Sequence, residues 1–141
     1  MASERQSSAG TAPDDPVAAM LAGDRASAAL GIEVVDHGPG WARARMTVRP
    51  DMINGHDLAH GGLVFALADT AFACACNGWG PVTVAAGAEI SFLAPARLGD
   101  ELEADARVRT RRGRTGIYDV TVRRGDEVVA EFRGRSAEVR R

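Results

Sequence analysis

The chain has 141 residues, of which 45% are hydrophobic and 26% are charged, and its formal net charge is −2 at pH 7. These values are typical of one globular domain and exclude a general attraction to nucleic acid or to an anionic membrane. No apolar run approaches the roughly 20 residues that a membrane-spanning helix needs. Residues 1–13 lack the apolar core of a signal peptide. We therefore expect a disordered tail over 1–13 and a single domain over 14–141 in a cytoplasmic protein.

The first predicted element is an amphipathic helix near the N-terminus. Asp14 or Asp15 precedes Pro16, a pattern typical of a helix start with an acidic cap and a proline in the first turn. Apolar residues then recur near helical spacing up to Gly31, which we expect to cap the C-terminal end. Such a helix would lie across the edge of a sheet or over a pocket.

The rest of the chain consists of strands on either side of one long helix. Period-two alternation of apolar and polar residues, bounded by Gly and Pro turns, marks the strands. The predicted strands cover residues 32–36, 41–48, 82–93, 102–109, 117–122 and 128–137. The turns between the last three have short, regular spacing, which predicts an antiparallel meander.

The most informative stretch reads NGHDLAHGG over residues 54–62. It is a polar, glycine-rich turn directly before the most apolar helix candidate, residues 63–77, which carries one carboxylate, Asp69. A helix that is apolar nearly all round must be surrounded by protein, and in so short a chain only a curled sheet can do this. The predicted fold class is therefore α+β. We expect the hot-dog fold, in which a curved antiparallel sheet wraps a long central helix, with an extra N-terminal helix.

Two features of this stretch indicate chemistry on a thioester. Gly61 and Gly62 stand at the helix start, where backbone N–H groups have no internal partner and favour negative charge such as a developing oxyanion. Asp69 fits a general base or a nucleophile whose pKa is set by partial desolvation. Structural alternatives remain open, because the glycines could simply permit a tight turn and donors from a strand could satisfy Asp69.

The spacing of these two features predicts an oligomer. Gly61 and Asp69 are eight residues apart, which is about 12 Å along one helix and about 80° apart in direction. One thioester carbonyl cannot easily meet both within a single helix. We therefore predict an obligate homodimer with two composite sites, each using Gly61 of one chain and Asp69 of the other.

Other polar residues near the helix have weaker signals. Asn54 could orient water or the thioester carbonyl, or could only cap the turn. His60 could orient the thioester or the oxyanion turn; His56 and His60 lack a third ligand for zinc, so we expect neither metal nor cofactor. Cys74 and Cys76 point in different directions on one helix and fit small buried residues in a reducing compartment.

A predicted hairpin concentrates four arginines within residues 109–114. Such a run is either a solvated face or, through Arg111, Arg112 and Arg114, a site for the phosphates of coenzyme A. Nucleic acid is disfavoured, because the chain has no basic surplus and no aromatic residues interleaved with the arginines.

Three motifs resemble those of the PaaI-type acyl-CoA thioesterases of phenylacetate degradation, a family of the hot-dog superfamily. They are NGHxxxHGG at 54–62, LADTAF at 67–72 and ACN at 75–77, supported by FLxP, GD and TGIYD further along. The resemblance spans about residues 18–137. It implies hydrolysis of aryl-, phenylacetyl- or hydroxyphenylacetyl-CoA without a metal, in a tetramer built from dimers.

Carried over by motif, the resemblance implies a role for four residues. Asp69 would be the base or nucleophile and the Gly61 N–H the oxyanion donor. Asn54 and His60 would orient the thioester, with Asn54 and Gly61 supplied by the chain opposite Asp69.

The chain departs from this pattern at one position. Relatives often place Ser or Thr on the following strand to hold the attacking water, whereas this chain has AAG at 85–87. Thr70 is the candidate substitute.

Two other functions remain open from the sequence. A hot-dog hydratase or dehydratase would need His60 to act together with Asp69 on one acyl thioester. A non-catalytic acyl-CoA-binding module would not need Asp69.

Overall fold

A computed structural model describes residues 15–140, so the predicted tail over 1–13 and the alternative cap Asp14 lie outside the described part. In chain order the elements are α1 (Pro16–Ala22), α2 (Arg25–Ala29), β1 (Glu33–Gly38), β2 (Trp41–Thr47), a 3₁₀ turn (Pro50–Met52), α3 (Gly61–Asn77), β3 (Thr83–Phe92), β4 (Glu101–Arg112), β5 (Thr115–Arg124) and β6 (Glu127–Glu138). The predicted order of helix and strands is confirmed. None of the described helices is both long and apolar enough to cross a bilayer.

All strand pairs are antiparallel, and the sheet order is β1-β2-β4-β5-β6-β3. The predicted meander is β4-β5-β6, and β3 returns to pair with the far side of β6. Helix α3 contacts all six strands of this sheet, which therefore curves around it. This is the predicted hot-dog architecture, with β1 and β3 at the two edges.

Small residues on the inner face of the sheet let α3 lie close to it. Ala42 and Ala44 on β2 and Ala104 on β4 have no exposed surface. On β6, a Cβ atom at Gly134 would lie 2.7 Å from two ring atoms of Phe72, which is buried at the centre of α3. Glycine at 134 therefore makes room for the largest core side chain of the helix.

The prediction of one N-terminal helix is wrong, because the segment forms two short helices. Asp15 caps α1, and Asp24 caps α2 by accepting a hydrogen bond from the Ser27 N–H at 2.9 Å. Gly23 and Asp24 interrupt the helix, since an Asp that caps a new helix start competes with continuation of the previous one. The predicted end of the segment is confirmed, as Gly31 follows α2 with φ +71°.

One stripe of α3 faces away from the sheet. Gly62, Ala66, Asp69 and Ala73, spaced three or four residues apart, are exposed or half-buried, whereas most of the helix is buried. Helix α2 packs over part of this stripe. The carboxylate of α3 therefore lies on the side of the helix that the sheet does not cover.

Candidate active site

The loop before α3 is held together by the side chain of Asn54. Its Oδ1 atom accepts hydrogen bonds from the backbone N–H groups of His56 at 2.8 Å and Leu58 at 3.1 Å. Asn54 therefore caps the turn, as one of the two interpretations expected. Its Nδ2 amide has no acceptor within residues 15–140 and is available as a donor to a ligand.

The start of α3 leaves one backbone donor free. His60 is the N-cap, and its Nδ1 accepts the Gly62 N–H at 3.1 Å, which places its own ring proton on Nε2. Its backbone oxygen accepts the N–H groups of Leu63 and Val64 at 2.9 and 3.3 Å. Among the described residues, no acceptor meets the Gly61 N–H. In the first turn the Gly61 N–H is therefore available to a ligand, while the N–H of Gly62, the other candidate donor, is engaged by His60.

Gly61 opens onto a cavity of about 470 Å³, which we call the glycine cavity. Asn54 lines it as well, and its other walls are apolar. The Phe92 ring covers one side, because a Cβ atom at Gly61 would lie 3.0 Å from Phe92 Cζ. The sequence showed Phe92 only as part of a motif, and its 53% exposure is the sign of a role beyond the core.

Asp69 lies in a second, smaller cavity of about 190 Å³, which we call the carboxylate cavity. Its walls come from α2, the segment after it, and the uncovered stripe of α3. Within residues 15–140, no donor forms a hydrogen bond with the Asp69 carboxylate, so the expected alternative of an Asp satisfied by a strand has no support. Burial raises the pKa of Asp69 above its ordinary value, and the negative charge of Asp24 raises it further.

The structure does not bring the predicted site residues together within one chain. Asn54 and Gly61 line the glycine cavity, Asp69 and Thr70 line the carboxylate cavity, and no residue is common to both. This separation agrees with the helix geometry expected from the eight-residue spacing. One chain therefore presents a donor half-site and a carboxylate half-site.

A chain of polar side chains runs from α2 to α3 beside the carboxylate cavity. Ser27 Oγ lies 2.6 Å from Asp24 Oδ2 and 2.8 Å from Thr70 Oγ1. The contact between Ser27 and Thr70 could not be predicted from the sequence, because 43 positions separate the two residues. Only the role of Asp24 as a helix cap could have been predicted from the sequence, because an Asp that precedes a helical segment is a common N-cap.

The arginine hairpin distributes its side chains over two faces of the sheet. The guanidinium of Arg111 stacks on the Trp79 ring, 3.8 Å from its centroid. Arg112, the next residue on the strand, points to the opposite face, where it lines a cavity of about 440 Å³ with Arg135 of β6. Arg114 lies in the exposed turn. The three predicted arginines therefore do not converge on one point.

The remaining titratable candidates have no catalytic geometry. Burial raises the pKa of both Cys74 and Cys76 to about 12, so their thiols are protonated and unreactive near neutral pH. In the part of the chain that the structure describes, no group of three or more His, Cys, Asp or Glu side chains could hold a metal ion.

Comparisons with known proteins identify the family and support the fold. The family model described as thioesterase superfamily matches residues 56–131. The acyl-coenzyme A thioesterase PaaI of Escherichia coli is 45% identical over 122 residues, covering 86% of this chain and 87% of that protein. A putative esterase of Deinococcus radiodurans is 44% identical over 108 residues, covering 74% and 73%. The solved structure of the E. coli PaaI protein from the phenylacetic acid degradation operon has a TM-score of 0.86 at 43% identity, over 89% of this chain and 91% of that chain.

The similarity to PaaI and the match to the thioesterase family model, on a hot-dog fold, define the protein as a thioester hydrolase. The chain belongs to the thioesterase superfamily. Within that superfamily its sequence and fold are of the PaaI type.

Proposed function

We propose that the protein hydrolyses acyl-CoA thioesters to a free acid and coenzyme A, with aryl-, phenylacetyl- or hydroxyphenylacetyl groups as the preferred acyl class. The observation that carries this proposal is a pair of groups that have no hydrogen-bond partner within residues 15–140, the Gly61 N–H and the Asp69 carboxylate. The acyl class is supported by the similarity to PaaI of E. coli, which is named as an acyl-coenzyme A thioesterase and comes from a phenylacetic acid degradation operon.

In the proposed reaction Asp69 is the general base. It takes one proton from a water molecule whose oxygen attacks the carbonyl carbon, and the carbonyl electrons move onto the carbonyl oxygen. The Gly61 N–H stabilises this oxyanion, and the Asn54 Nδ2 donates to the same thioester group. When the C=O bond reforms, the C–S bond breaks and the coenzyme A thiolate receives the proton from Asp69. The raised pKa of Asp69 suits this task, because it makes the carboxylate a stronger base.

Each active site is proposed to combine two copies of the chain in a homodimer, two of which form a tetramer. One copy supplies the glycine cavity and the other supplies the carboxylate cavity. Within one chain these two cavities share no lining residue. Edge strand β3 supports this assembly, because it leaves one side unpaired and exposes Val84 and Phe92. Antiparallel pairing of two β3 strands is self-complementary, as a two-fold dimer requires.

The nucleotide part of coenzyme A is proposed to contact the arginine hairpin. Arg112 and Arg114 are exposed and have no carboxylate partner among the described residues. Arg111 stays positively charged while it stacks on Trp79. It therefore adds electrostatic attraction for the phosphates of coenzyme A from the other face of the strand.

A hydratase or dehydratase has less support than a hydrolase. Such an enzyme would need His60 to share a substrate with a carboxylate. The Nδ1 atom of His60 accepts the Gly62 N–H and caps the helix start, which leaves only Nε2 of this ring for a substrate.

A thiol-release assay over aryl-, phenylacetyl- and fatty acyl-CoA substrates tests the proposed function. The wild-type protein is expected to release free coenzyme A fastest from the aryl or phenylacetyl substrates. Asp69→Asn should lower kcat by about 10²- to 10⁴-fold, the usual effect of losing a general base, and should still bind acyl-CoA. Near-full activity of this variant would remove Asp69 from the mechanism, and binding without hydrolysis by the wild type would indicate a non-catalytic module.

A further inference from the structure

The hydrogen bonds that join Asp24, Ser27 and Thr70 between α2 and α3 have only one possible arrangement of donors and acceptors. Asp24 accepts the Ser27 backbone N–H with Oδ1 at 2.9 Å and the Ser27 hydroxyl with Oδ2 at 2.6 Å. A carboxylate only accepts hydrogen bonds, so the single hydroxyl proton of Ser27 points to Asp24. In the 2.8 Å contact between Ser27 and Thr70, the donor must therefore be Thr70.

This direction determines what Thr70 can offer to a ligand. Its one hydroxyl proton is directed at Ser27, which leaves only lone pairs on Oγ1 for any other partner. Both hydroxyls are secluded, with Ser27 and Thr70 each 8% exposed. Thr70 also lines the carboxylate cavity next to Asp69. The cavity therefore holds two adjacent acceptors, a carboxylate and a hydroxyl oxygen that does not donate.

Two adjacent acceptors suit a water molecule that acts as a nucleophile. A water that donates one proton to Asp69 and the other to Thr70 has a lone pair left to point at the thioester carbonyl. We propose that Asp24 and Ser27 are positioning residues that hold Thr70 as an acceptor for the attacking water. This inference rests on the proposed function, and it deepens that function by naming the residues that orient the water.

The inference also accounts for the departure at residues 85–87. The AAG sequence there supplies no side-chain hydroxyl, and it coincides with a β-bulge between Ala85 and Gly87 on β3. Thr70, oriented through α2, would take the place of a hydroxyl on that strand. The N-terminal helix pair then has a chemical role as well as a packing role.

The protons and bonds of the hydrolysis step are the same whether or not Thr70 orients the water. The water oxygen forms the new bond to the carbonyl carbon, and Asp69 receives the proton directed at it. The proton directed at Thr70 stays on the oxygen, which becomes the hydroxyl of the acid product. Asp24, Ser27 and Thr70 therefore exchange no proton with the substrate, and they act by orientation alone.

Asp24→Asn is the most informative substitution, because it reverses the direction of the hydrogen bonds from Asp24 through Ser27 to Thr70 and keeps the shape of the side chain. The amide oxygen can still accept the Ser27 N–H and cap α2. The amide NH₂ then donates to Ser27 Oγ, the Ser27 proton turns to Thr70, and the Thr70 proton turns towards the cavity. A donor would then face the water where an acceptor is needed. Asp15→Asn is the matched control, since Asp15 caps α1 through backbone N–H groups only.

The experiment measures kcat and KM for an acyl-CoA substrate across pH in the wild type and in Asp24→Asn, Thr70→Val and Asp15→Asn. We expect the kcat of the high-pH plateau to fall about tenfold in Asp24→Asn and Thr70→Val, the effect of one misplaced hydrogen bond. KM and the Asp15→Asn values should stay unchanged. Thr70→Ser should recover kcat relative to Thr70→Val.

Three results separate the alternatives. If Asp24→Asn only moves the acid limb to lower pH and keeps the plateau kcat, Asp24 acts by its charge and the inference is overturned. If Thr70→Val raises KM and keeps kcat, Thr70 binds a hydroxyl of the acyl group instead of water, which also overturns it. If the wild type itself releases no coenzyme A from any substrate of the panel, the proposed function fails instead.

Discussion

The composite site can be tested by mixing two inactive variants that damage different half-sites. Asn54→Asp keeps the oxygen that accepts the N–H groups of His56 and Leu58, and replaces only the amide donor. Asp69→Asn keeps the shape of the carboxylate and removes the base. Both changes preserve the loop and the helix, so each variant is expected to fold and assemble but to be nearly inactive.

The half-sites determine how much activity returns after mixing. Equal amounts of the two variants, unfolded and refolded together, form heterodimers as about one half of all dimers. Each heterodimer has one site in which Asn54 and Asp69 are both intact and one site in which both are changed. About one quarter of the wild-type activity should therefore return. Sites confined to single chains would regain nothing.

In a second mixture, composite sites are expected to give less activity than sites confined to single chains. A chain that carries Asn54→Asp and Asp69→Asn together is refolded with an equal amount of wild type. Composite sites leave only the wild-type homodimers active, about one quarter of the fully wild-type activity, whereas sites within single chains leave about one half. Both mixtures are followed by thiol release, with each chain refolded alone as the control. Background activity in the first mixture together with one half in the second would refute the composite site.

Three further perturbations follow from the structure. Asp69→Asn should raise Tm near neutral pH, because burial disfavours the ionised carboxylate of the wild type. This gain should begin to shrink as pH falls through the raised pKa of Asp69 and should be absent below the ordinary pKa of an aspartate, where the carboxyl is neutral in both the folded and the unfolded wild type. Gly134→Ala should lower the free energy of unfolding in urea by about 1–3 kcal/mol, since its Cβ would meet the buried Phe72 ring. Arg112→Ala should raise KM for acyl-CoA more than for an acyl-pantetheine lacking the nucleotide, as measured by thiol release.

The two stability predictions have control variants, and the Arg112→Ala prediction has the acyl-pantetheine substrate as its control. Asp126→Asn neutralises an exposed turn carboxylate and should change stability by less than about 0.5 kcal/mol. Gly55→Ala places its Cβ in open space and should also be nearly neutral. A destabilised Asp69→Asn, a stable Gly134→Ala, or equal KM changes for both Arg112→Ala substrates would contradict the respective reasoning.

The sequence predicts the elements of this fold that depend on local periodicity. The alternating strands, the β4-β5-β6 meander and the apolar α3 were all readable, and their sum left the hot-dog fold as the natural solution. Two candidate site residues could also be picked out by their position within one element. Gly61 stands at a helix start and Asp69 in an apolar helix, and the structure places each of them at a cavity.

What the sequence could not show depends on contacts between distant segments. The hydrogen bond between Ser27 and Thr70 exists only because α2 folds over α3. The arginines looked like one cluster, but side chains alternate along a strand, so Arg111 and Arg112 lie on opposite faces of the sheet. The break between α1 and α2 could not be predicted from Gly23 alone, because a single glycine is tolerated within many helices.

Edge strand β3 has a consequence for the chain before it assembles. A single chain exposes Val84 on the strand at one edge of its sheet, and such an edge is a template for indiscriminate β-aggregation. The bulge at Ala85–Gly87 and the exposed Glu89 interrupt that edge with a twist and a charge. These two features limit which strands can add to β3, so they favour an orderly partner over an open-ended stack. In the proposed dimer this edge pairs with a second β3, and the bulge and Glu89 oppose the addition of further strands.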